Sequence, residues 1–131
     1  MQVTMRFLNL SSTDSLVFYP DNTAYDFIVE LPDYFEGQYQ CALMDFSCAA
    51  SLSEELYVFS DICEPEYVHD CILPLLRIVR ERGEVNTPFF KVASRRVIQR
   101  VRIFIRNHRH ETPTQEIGPV RVTLALRKYL S

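Results

Sequence analysis

Residues 97–107 read Val-Ile-Gln-Arg-Val-Arg-Ile-Phe-Ile-Arg-Asn, the longest alternation of apolar and polar side chains in the chain. One predicted face carries Val97, Gln99, Val101, Ile103 and Ile105, and the other carries Ile98, Arg100, Arg102, Phe104 and Arg106. A period of two over so long a run predicts a β-strand with one face in a core. The arginine-bearing face is then expected to lie in water or against a partner.

The same alternation recurs on both sides of this segment, between turns rich in Pro, Gly, Asp and Asn. We predict strands at 3–10, 16–19, 25–31, 38–46, 56–62, 72–80, 89–92, 97–107 and 119–130, and loops at 47–55 and 81–87. The best helical candidates, 51–55 and 66–71, are too short to stand alone. Eight or nine short strands predict an all-β protein, an eight-stranded jelly-roll-like antiparallel β-sandwich. With 131 residues, the chain is expected to form a single domain over 1–131.

Composition argues against the common catalytic loops. The chain has nine Phe and seven Tyr but only three Gly, and neither a nucleotide-binding loop nor a GxSxG nucleophile turn occurs in the sequence. The pairs Glu54/Glu55 and Glu64/Glu66 are better explained as solvated surface than as the two carboxyl groups of a glycosidase. We therefore expect no enzyme activity, no catalytic residue and no cofactor.

Charge is distributed unevenly along the chain. Residues 1–70 hold 13 acidic residues and one basic residue, a net charge of −12, whereas residues 71–131 hold 13 basic and four acidic residues, a net charge of +9. The two halves are expected either to interleave and neutralise each other or to form opposed faces that favour head-to-tail association.

Cysteine and histidine spacing gives weak signals for metal or redox chemistry. Cys41, Cys48, Cys63 and Cys71 form no CxxC pair, so we expect free thiols, mostly packed as small hydrophobes. No signal peptide and no apolar run of membrane-spanning length is visible, which predicts a reducing compartment at synthesis. The histidines leave one alternative open, a cupin-like metal site built from His108, His110, Glu111 and His69.

Arginines on the 97–107 strand suggest three kinds of partner. Arg100, Arg102 and Arg106 are expected to pair with the acidic first half of their own chain, to meet a protein partner, or, as the least favoured option, to contact nucleic acid. Our hypothesis for an oligomer interface sets these three arginines against acidic residues of a neighbouring copy, namely Glu54, Glu55, Glu64 and Glu66.

A set of ordered motifs resembles a known family. They are Phe18-Tyr19-Pro20-Asp21-Asn22-Thr23, Phe27-Ile28-Val29-Glu30-Leu31-Pro32, Gly37 before Tyr39-Gln40-Cys41-Ala42-Leu43, Leu56-Tyr57-Val58-Phe59-Ser60-Asp61-Ile62, and Leu75-Leu76-Arg77-Ile78-Val79. In this order the chain resembles the penton-like single jelly-roll minor capsid proteins of polinton- and adintovirus-type DNA viruses of the double-jelly-roll lineage. The resemblance covers residues 5–127. Asp45 and Phe59 depart from the family pattern, which favours Glu and Tyr there.

The resemblance implies a structural role. Five copies would form a homopentameric ring at the fivefold vertices of a virion, in contact with a double-jelly-roll major capsid protein, after synthesis in the host cytoplasm or nucleus. It implies structural roles for Tyr19, Pro20, Asn22, Leu31, Pro32, Gly37, Tyr57, Ser60, Asp61, Leu76 and Arg77. A fibre-holding extension is expected to be absent or on another chain. The alternative is a non-viral β-sandwich that binds protein or carbohydrate, with Tyr25, Tyr57 or Tyr67 as candidate exposed aromatics.

Overall fold

The structure, a computed structural model, describes residues 5–80, 89–93 and 96–128. These residues contain ten strands, all paired antiparallel. No helix occurs within these ranges. The strands are β1 (Met5–Ser11), β2 (Asp26–Glu36), β3 (Tyr39–Ser47), β4 (Leu56–Ser60), β5 (Glu66–Val68), β6 (Cys71–Leu73), β7 (Leu75–Val79), β8 (Lys91–Val92), β9 (Val97–Arg106) and β10 (Arg121–Lys128). The predicted loop at 81–87 and the outer ends of the first and last predicted strands lie outside the described residues.

Eight of these strands form two four-stranded sheets that face each other across one core. Sheet A has the order β1-β10-β3-β8, and sheet B has the order β2-β9-β4-β7. Along the chain, β1, β3, β8 and β10 belong to sheet A, and β2, β4, β7 and β9 belong to sheet B. This crossing back and forth is the double Greek-key connectivity of a jelly roll. The predicted all-β, jelly-roll-like sandwich is confirmed, with ten strands instead of eight because β5 and β6 form a separate hairpin.

The core is built from the inward faces of both sheets. On β9, Val101, Ile103 and Ile105 are fully buried, as the alternation of residues 97–107 predicts. Phe27 of β2 and Leu124 of β10 are also fully buried and belong to the same cluster. Apolar burial on this scale is the main favourable term in folding, and it fixes which face of each strand points inward.

One face assignment was wrong and the alternation breaks on a second strand, and irregular strand pairing explains both. On β9, Ile98 is buried while Val97 and Gln99 are exposed, because the pairing of β2 with β9 shifts register between Glu30 and Phe35. On β3, Cys41, Leu43 and Phe46 are buried and Asp45 is exposed, so the strict alternation does not continue to the end of the strand. The pairing of β10 with β3 slips there, between Thr123 and Leu124, and one extra residue inverts the alternation that follows it.

The region around β2 also differs from the prediction. Residues 16–19 form turns and not a strand, and the N–H groups of Phe18 and Tyr19 both donate to the carbonyl of Ser15. Strand β2 continues through Pro32 to Glu36, although we expected it to end at Leu31-Pro32. A proline is tolerated there because β2 is an edge strand and Pro32 lies in the irregular stretch, where no ladder hydrogen bond is needed.

A short hairpin follows β4 and lies against the outer face of sheet B. It consists of β5 and β6, paired through Glu66↔Leu73, Tyr67↔Ile72 and Val68↔Cys71. Its Val68 packs on Tyr57 and Phe59 of β4 in a second apolar cluster, which also includes Leu73, Leu75, Ile78 and Phe104. The helical candidate at 66–71 is therefore a hairpin, and the predicted core strand at 72–80 is divided by Pro74 between this hairpin and sheet B.

Candidate assembly surfaces

The edge of sheet B at β2 is covered by side chains of the loop between β1 and β2. Asn22 Oδ1 accepts a hydrogen bond from the Ile28 N–H at 3.0 Å, and Asn22 Nδ2 donates to the Ile28 carbonyl at 2.9 Å. Ser15 Oγ accepts from the Glu30 N–H at 2.9 Å. These side chains therefore form the hydrogen bonds with the β2 backbone that another strand could otherwise form. Covering an edge in this way is a common protection against unwanted strand pairing.

This covering loop exposes a run of apolar side chains, which we call the loop patch. It comprises Leu16, Val17 and Phe18, and the side chains of Val17 and Phe18 are 93% and 69% exposed. Single exposed apolar residues are ordinary, but contiguous ones at the tip of an ordered loop are typical of interaction sites.

A second exposed apolar pair lies on the β5–β6 hairpin, and we call it the hairpin patch. Tyr67 and Ile72 are cross-strand neighbours, so their side chains point to the same side, and they are 84% and 63% exposed. The opposite side of the hairpin is anchored, because Val68 is buried on sheet B. The hairpin therefore exposes Tyr67 and Ile72 to solvent, while its other face is packed against sheet B.

The two patches lie toward opposite edges of sheet B. The loop patch belongs to the loop that covers β2, at one edge of the β2-β9-β4-β7 order. The hairpin patch lies over β4 and β7, at the other edge. Three strand spacings separate the two edges, a distance of about 14 Å along the sheet.

A polar strip on β9 and β2 separates the patches and contains the three predicted interface arginines. Arg102 makes a bidentate pair with Asp26, with Nε–Oδ1 and Nη2–Oδ2 distances of 3.0 and 2.8 Å. Arg106 Nη2 lies 4.0 Å from the same carboxylate. The hydrogen bond to Asp26 raises the pKa of Arg102 above its usual value, so this guanidinium stays charged.

Arg100 is held less tightly than the other two arginines. Its side chain is 56% exposed, and its Nε lies 3.7 Å from Glu30 Oε1. Glu30 also accepts the hydroxyl hydrogen bond of Tyr19, and that bond raises the pKa of Tyr19. Arg100 therefore lies beside the loop patch, since Tyr19 directly follows Phe18 in the chain.

The four predicted acidic partners lie in two places. Glu54 and Glu55 are half-buried in the loop before β4, and Glu55 forms an exposed ion pair with Arg80. Glu64 is exposed just before the β5–β6 hairpin, and Glu66 at the start of β5 pairs with Lys91 at 2.6 Å. These ion pairs and those of Asp26 and Glu30 each join the acidic first half to the basic second half. The expectation that the two halves interleave is confirmed for these residues, and the interface with a neighbouring copy stays a prediction.

Most motif residues that carry the family resemblance have structural roles at turns and strand ends. Gly37 follows β2 with a φ of 129°, its N–H donates to the Arg96 carbonyl, and an added Cβ would lie 2.8 Å from Lys128 Cε. Ser60 is fully buried, and its N–H donates to the Pro74 carbonyl.

The remaining motif residues pack or pair within the fold. Asp61 Oδ1 accepts the Arg102 N–H at 2.9 Å, which ties the end of β4 to β9. Leu76 is part of the main core, and the Arg77 guanidinium lies 4.4 Å from the centre of the Phe89 ring. Pro20 lies in the turn between Tyr19 and Asn22, and Leu31 is half-buried against the core.

The histidines considered for a metal site gather around one small cavity of about 180 Å³. His69 and His110 both have a positive φ, and His69 Nε2 lies 3.0 Å from the Tyr57 hydroxyl. His108 and Cys71 also line this cavity, whereas Glu111 does not. Within residues 5–80, 89–93 and 96–128, no three His, Cys, Asp or Glu side chains are grouped so as to hold a metal ion.

An open groove of about 600 Å³ lies next to the loop patch. Phe18 and Tyr19 form one wall, and Asp26 and Arg102 lie on another. Of the three tyrosines considered as exposed aromatics, Tyr67 is exposed, Tyr25 is half-buried and Tyr57 is buried. The Tyr25 hydroxyl donates to the Gln115 carbonyl, and burial raises the pKa of Tyr25.

Both apolar patches were missed by sequence reasoning. Residues 16–19 matched a short apolar strand, so their exposure was not expected, and Tyr67 and Ile72 were assigned to different segments. The three consecutive apolar residues between a Ser-rich turn and Pro20 were the one available signal for the loop patch.

Comparison with known proteins returns no match to any family model and none to any curated protein. In the part of the chain that the structure describes, no helix has the length and apolar character needed to cross a bilayer.

Proposed function

We propose that this protein is a structural subunit of a viral capsid, a penton-like minor capsid protein that forms a five-membered ring at the fivefold vertices. The observation that carries the proposal is the pair of exposed apolar patches toward opposite edges of one jelly-roll sheet. Ordered side chains as exposed as Val17 and Tyr67 are typical of surfaces that a partner covers.

The placement of the patches favours a ring. A heterologous interface joins two different surfaces of identical subunits, and repetition around a rotation axis closes it. The loop patch of one copy would contact the hairpin patch of the next, and each subunit would use both patches. A dimer in which one patch contacts the same patch of a second copy, in contrast, would cover that patch and leave the other exposed.

Charge supports the same pairing. Arg100 lies beside the loop patch, and Glu64 and Glu66 lie beside the hairpin patch. When the two patches meet, the exposed arginine of one copy approaches the exposed Glu64 of the next. Opposite charges at the rim of an interface mainly set register and association rate, and the apolar contact supplies most of the affinity.

The motif residues support the family resemblance without adding catalytic chemistry. Asn22 covers the β2 edge, Gly37 turns the chain after β2, and Ser60 and Asp61 fix the end of β4. These positions shape the loops around the two patches. We propose that the ring contacts the double-jelly-roll major capsid protein and resides in the virion, as the resemblance implies.

Light scattering of the purified protein over a range of concentrations tests the ring. We expect a discrete species of five times 15.4 kDa that the Tyr67→Asp/Ile72→Asp double variant does not form. Asn9→Asp/Gln38→Asp serves as a matched control, because it adds the same charge at two exposed positions in or next to sheet A strands and leaves both patches intact. A monomer at every concentration, or a pentamer that the double variant still forms, contradicts the proposed interface.

The open groove favours a second candidate, a carbohydrate-binding module. Sugars bind through an exposed aromatic face together with planar polar groups, and Phe18, Asp26 and Arg102 line this groove. Binding to a glycan array that Phe18→Ala abolishes, with the protein remaining a monomer, would favour this candidate over the ring. The same substitution is expected to weaken the pentamer if the ring is correct.

A further inference from the structure

Two cysteine thiols touch in the interior of the sandwich. Cys41 lies on β3 in sheet A, and Cys63 lies in the connection that follows β4 of sheet B. Their Sγ atoms are 3.2 Å apart, and the two residues are 0% and 2% exposed. The ring assembly proposed above makes no use of this contact.

Backbone pairing on both sides of strand β8 fixes the positions of these two cysteines. Cys41 pairs with Lys91 of β8, and Cys63 forms a bridge with Ala93 just after that strand. The N–H of Glu64 donates to the Val92 carbonyl, and the N–H of Ala93 donates to the Tyr39 carbonyl. The two thiols are therefore held together by hydrogen-bonded backbone and not by flexible loops.

We propose that Cys41 and Cys63 form a redox modification site, at which a peroxide converts the two thiols into an intramolecular disulfide. One thiolate attacks the O–O bond, which gives a sulfenic acid and releases water after proton uptake. The second thiol then attacks that sulfur and displaces a second water. The two cysteines together lose two electrons and two hydrogens, and the peroxide is reduced to two waters.

Little movement is needed to form this bond. A disulfide has an S–S distance of about 2.0 Å, so the sulfurs must approach by about 1.2 Å. Burial restricts the oxidant, because a peroxide is about as small as water whereas a bulky disulfide cannot reach an enclosed thiol. The hydrogen bond to Cys41 and burial both raise the pKa of Cys63, so the reaction is expected to be slow in the folded state.

The bond would link sheet A to the chain segment that leaves sheet B. Cys41 and Cys63 are 22 positions apart, and closing a loop of that size in the unfolded chain is expected to raise the melting temperature by about 10 °C. A reducing agent is expected to reverse this increase.

The experiment uses the full chain with Cys48→Ser and Cys71→Ser, which removes the half-buried and the exposed thiol. After treatment with hydrogen peroxide, the protein is denatured, alkylated and mapped by mass spectrometry, and its melting temperature is measured with and without dithiothreitol. We expect a mass loss of two hydrogens, a linked peptide that contains Cys41 and Cys63, and the reversible increase in melting temperature.

Two results would overturn the proposal. One is that both cysteines remain fully alkylated after peroxide treatment and denaturation, and the other is their conversion to sulfinic acid without a linked peptide. Cys63→Ala in the same background is expected to lose both the linkage and the temperature increase. Because the peptide map is made on the two-cysteine protein itself, the test stands even if that variant does not fold.

Discussion

Asn22 replaces a missing strand partner for the edge of sheet B. Its side-chain amide presents an N–H donor and a carbonyl acceptor in the same spacing as a peptide group, and both bind the backbone of Ile28, while Nδ2 also donates to the Asp14 carbonyl at 3.2 Å. Serine or threonine has a single hydroxyl oxygen and no second polar atom at the spacing of a peptide group. In the sequence, Asn22 is explained as an ordinary turn residue, but in the fold it also protects the edge of sheet B.

Replacing Asn22 with alanine is expected to lower the free energy of unfolding by about 1–3 kcal/mol, because it leaves three half-buried backbone groups, the Ile28 N–H and the Ile28 and Asp14 carbonyls, without their side-chain partner. Asn9→Ala is a matched control, since Asn9 is exposed and, among the described residues, its side chain accepts one hydrogen bond, from the Thr123 hydroxyl. The control is expected to change stability by less than about 0.5 kcal/mol. Urea denaturation measures both, and equal effects would show that Asn22 has no special role at the edge.

The strand-face arginines differ in what they hold together. Arg102 binds both carboxylate oxygens of Asp26, whereas Arg100 is more exposed and meets Glu30 through one 3.7 Å contact. Bidentate geometry is the condition under which a partly exposed ion pair contributes measurably to stability. Arg102 is therefore expected to stabilise the subunit, and Arg100 is the arginine that remains available to a neighbour.

Arg102→Gln is expected to destabilise the monomer by about 1 kcal/mol in thermal or urea denaturation, because Asp26 loses its bidentate partner. Arg100→Gln removes one 3.7 Å contact without placing a like charge opposite Glu30, so it is expected to leave monomer stability nearly unchanged and to weaken ring assembly, most visibly at low salt. The two variants thus separate folding from assembly. A ring that Arg100→Gln leaves unaffected at low salt would contradict the proposed contact between Arg100 and Glu64.

At the level of the strands, alternation was enough to predict most of the fold. Residues 97–107 identified β9, its buried valine and isoleucines, and the all-β class. The inverted faces at Ile98 and Phe46 could not be predicted, because a bulge depends on the partner strand and not on the strand's own sequence.

The hairpin was missed for a different reason. Strands β5 and β6 have three residues each, which is too short for a periodic signal. The charged residues of the candidate site were found from the sequence, since they stand out on one strand face and in acidic pairs. The apolar patches were not, because exposure of Val17 or Tyr67 is a property of the packed chain and not of its local pattern.

The hairpin offers a direct test of its two faces. Val68→Ala is expected to lower the free energy of unfolding by about 2 kcal/mol, because Val68 is buried against Tyr57 and Phe59. Its neighbour Tyr67 points the other way, so Tyr67→Ala is expected to change stability by less than about 0.5 kcal/mol and to weaken the ring. Urea denaturation and light scattering on both variants check this division, and a large stability loss in Tyr67→Ala would refute it.

At the scale of the whole molecule, the proposed ring joins two unlike patches of neighbouring subunits head to tail, and its size would be set by the angle between the patches. Such an assembly differs from a symmetric dimer when two variants, each with a different patch mutated, are mixed. Each subunit contributes one half of two separate interfaces, so damage to one patch leaves the other able to bind. A pair of complementary variants can therefore reveal the type of interface without a structure of the complex.

One variant carries Val17→Asp and Phe18→Asp in the loop patch, and the other carries Tyr67→Asp and Ile72→Asp in the hairpin patch. Each alone is expected to stay monomeric, because every possible contact includes one damaged surface. In an equimolar mixture, the intact loop patch of one meets the intact hairpin patch of the other, and growth stops at a heterodimer since both remaining surfaces are damaged. Native mass spectrometry distinguishes the species. If the mixture contains only monomers, the two patches are not partners. If either variant forms pentamers by itself, its mutated patch is not needed for assembly.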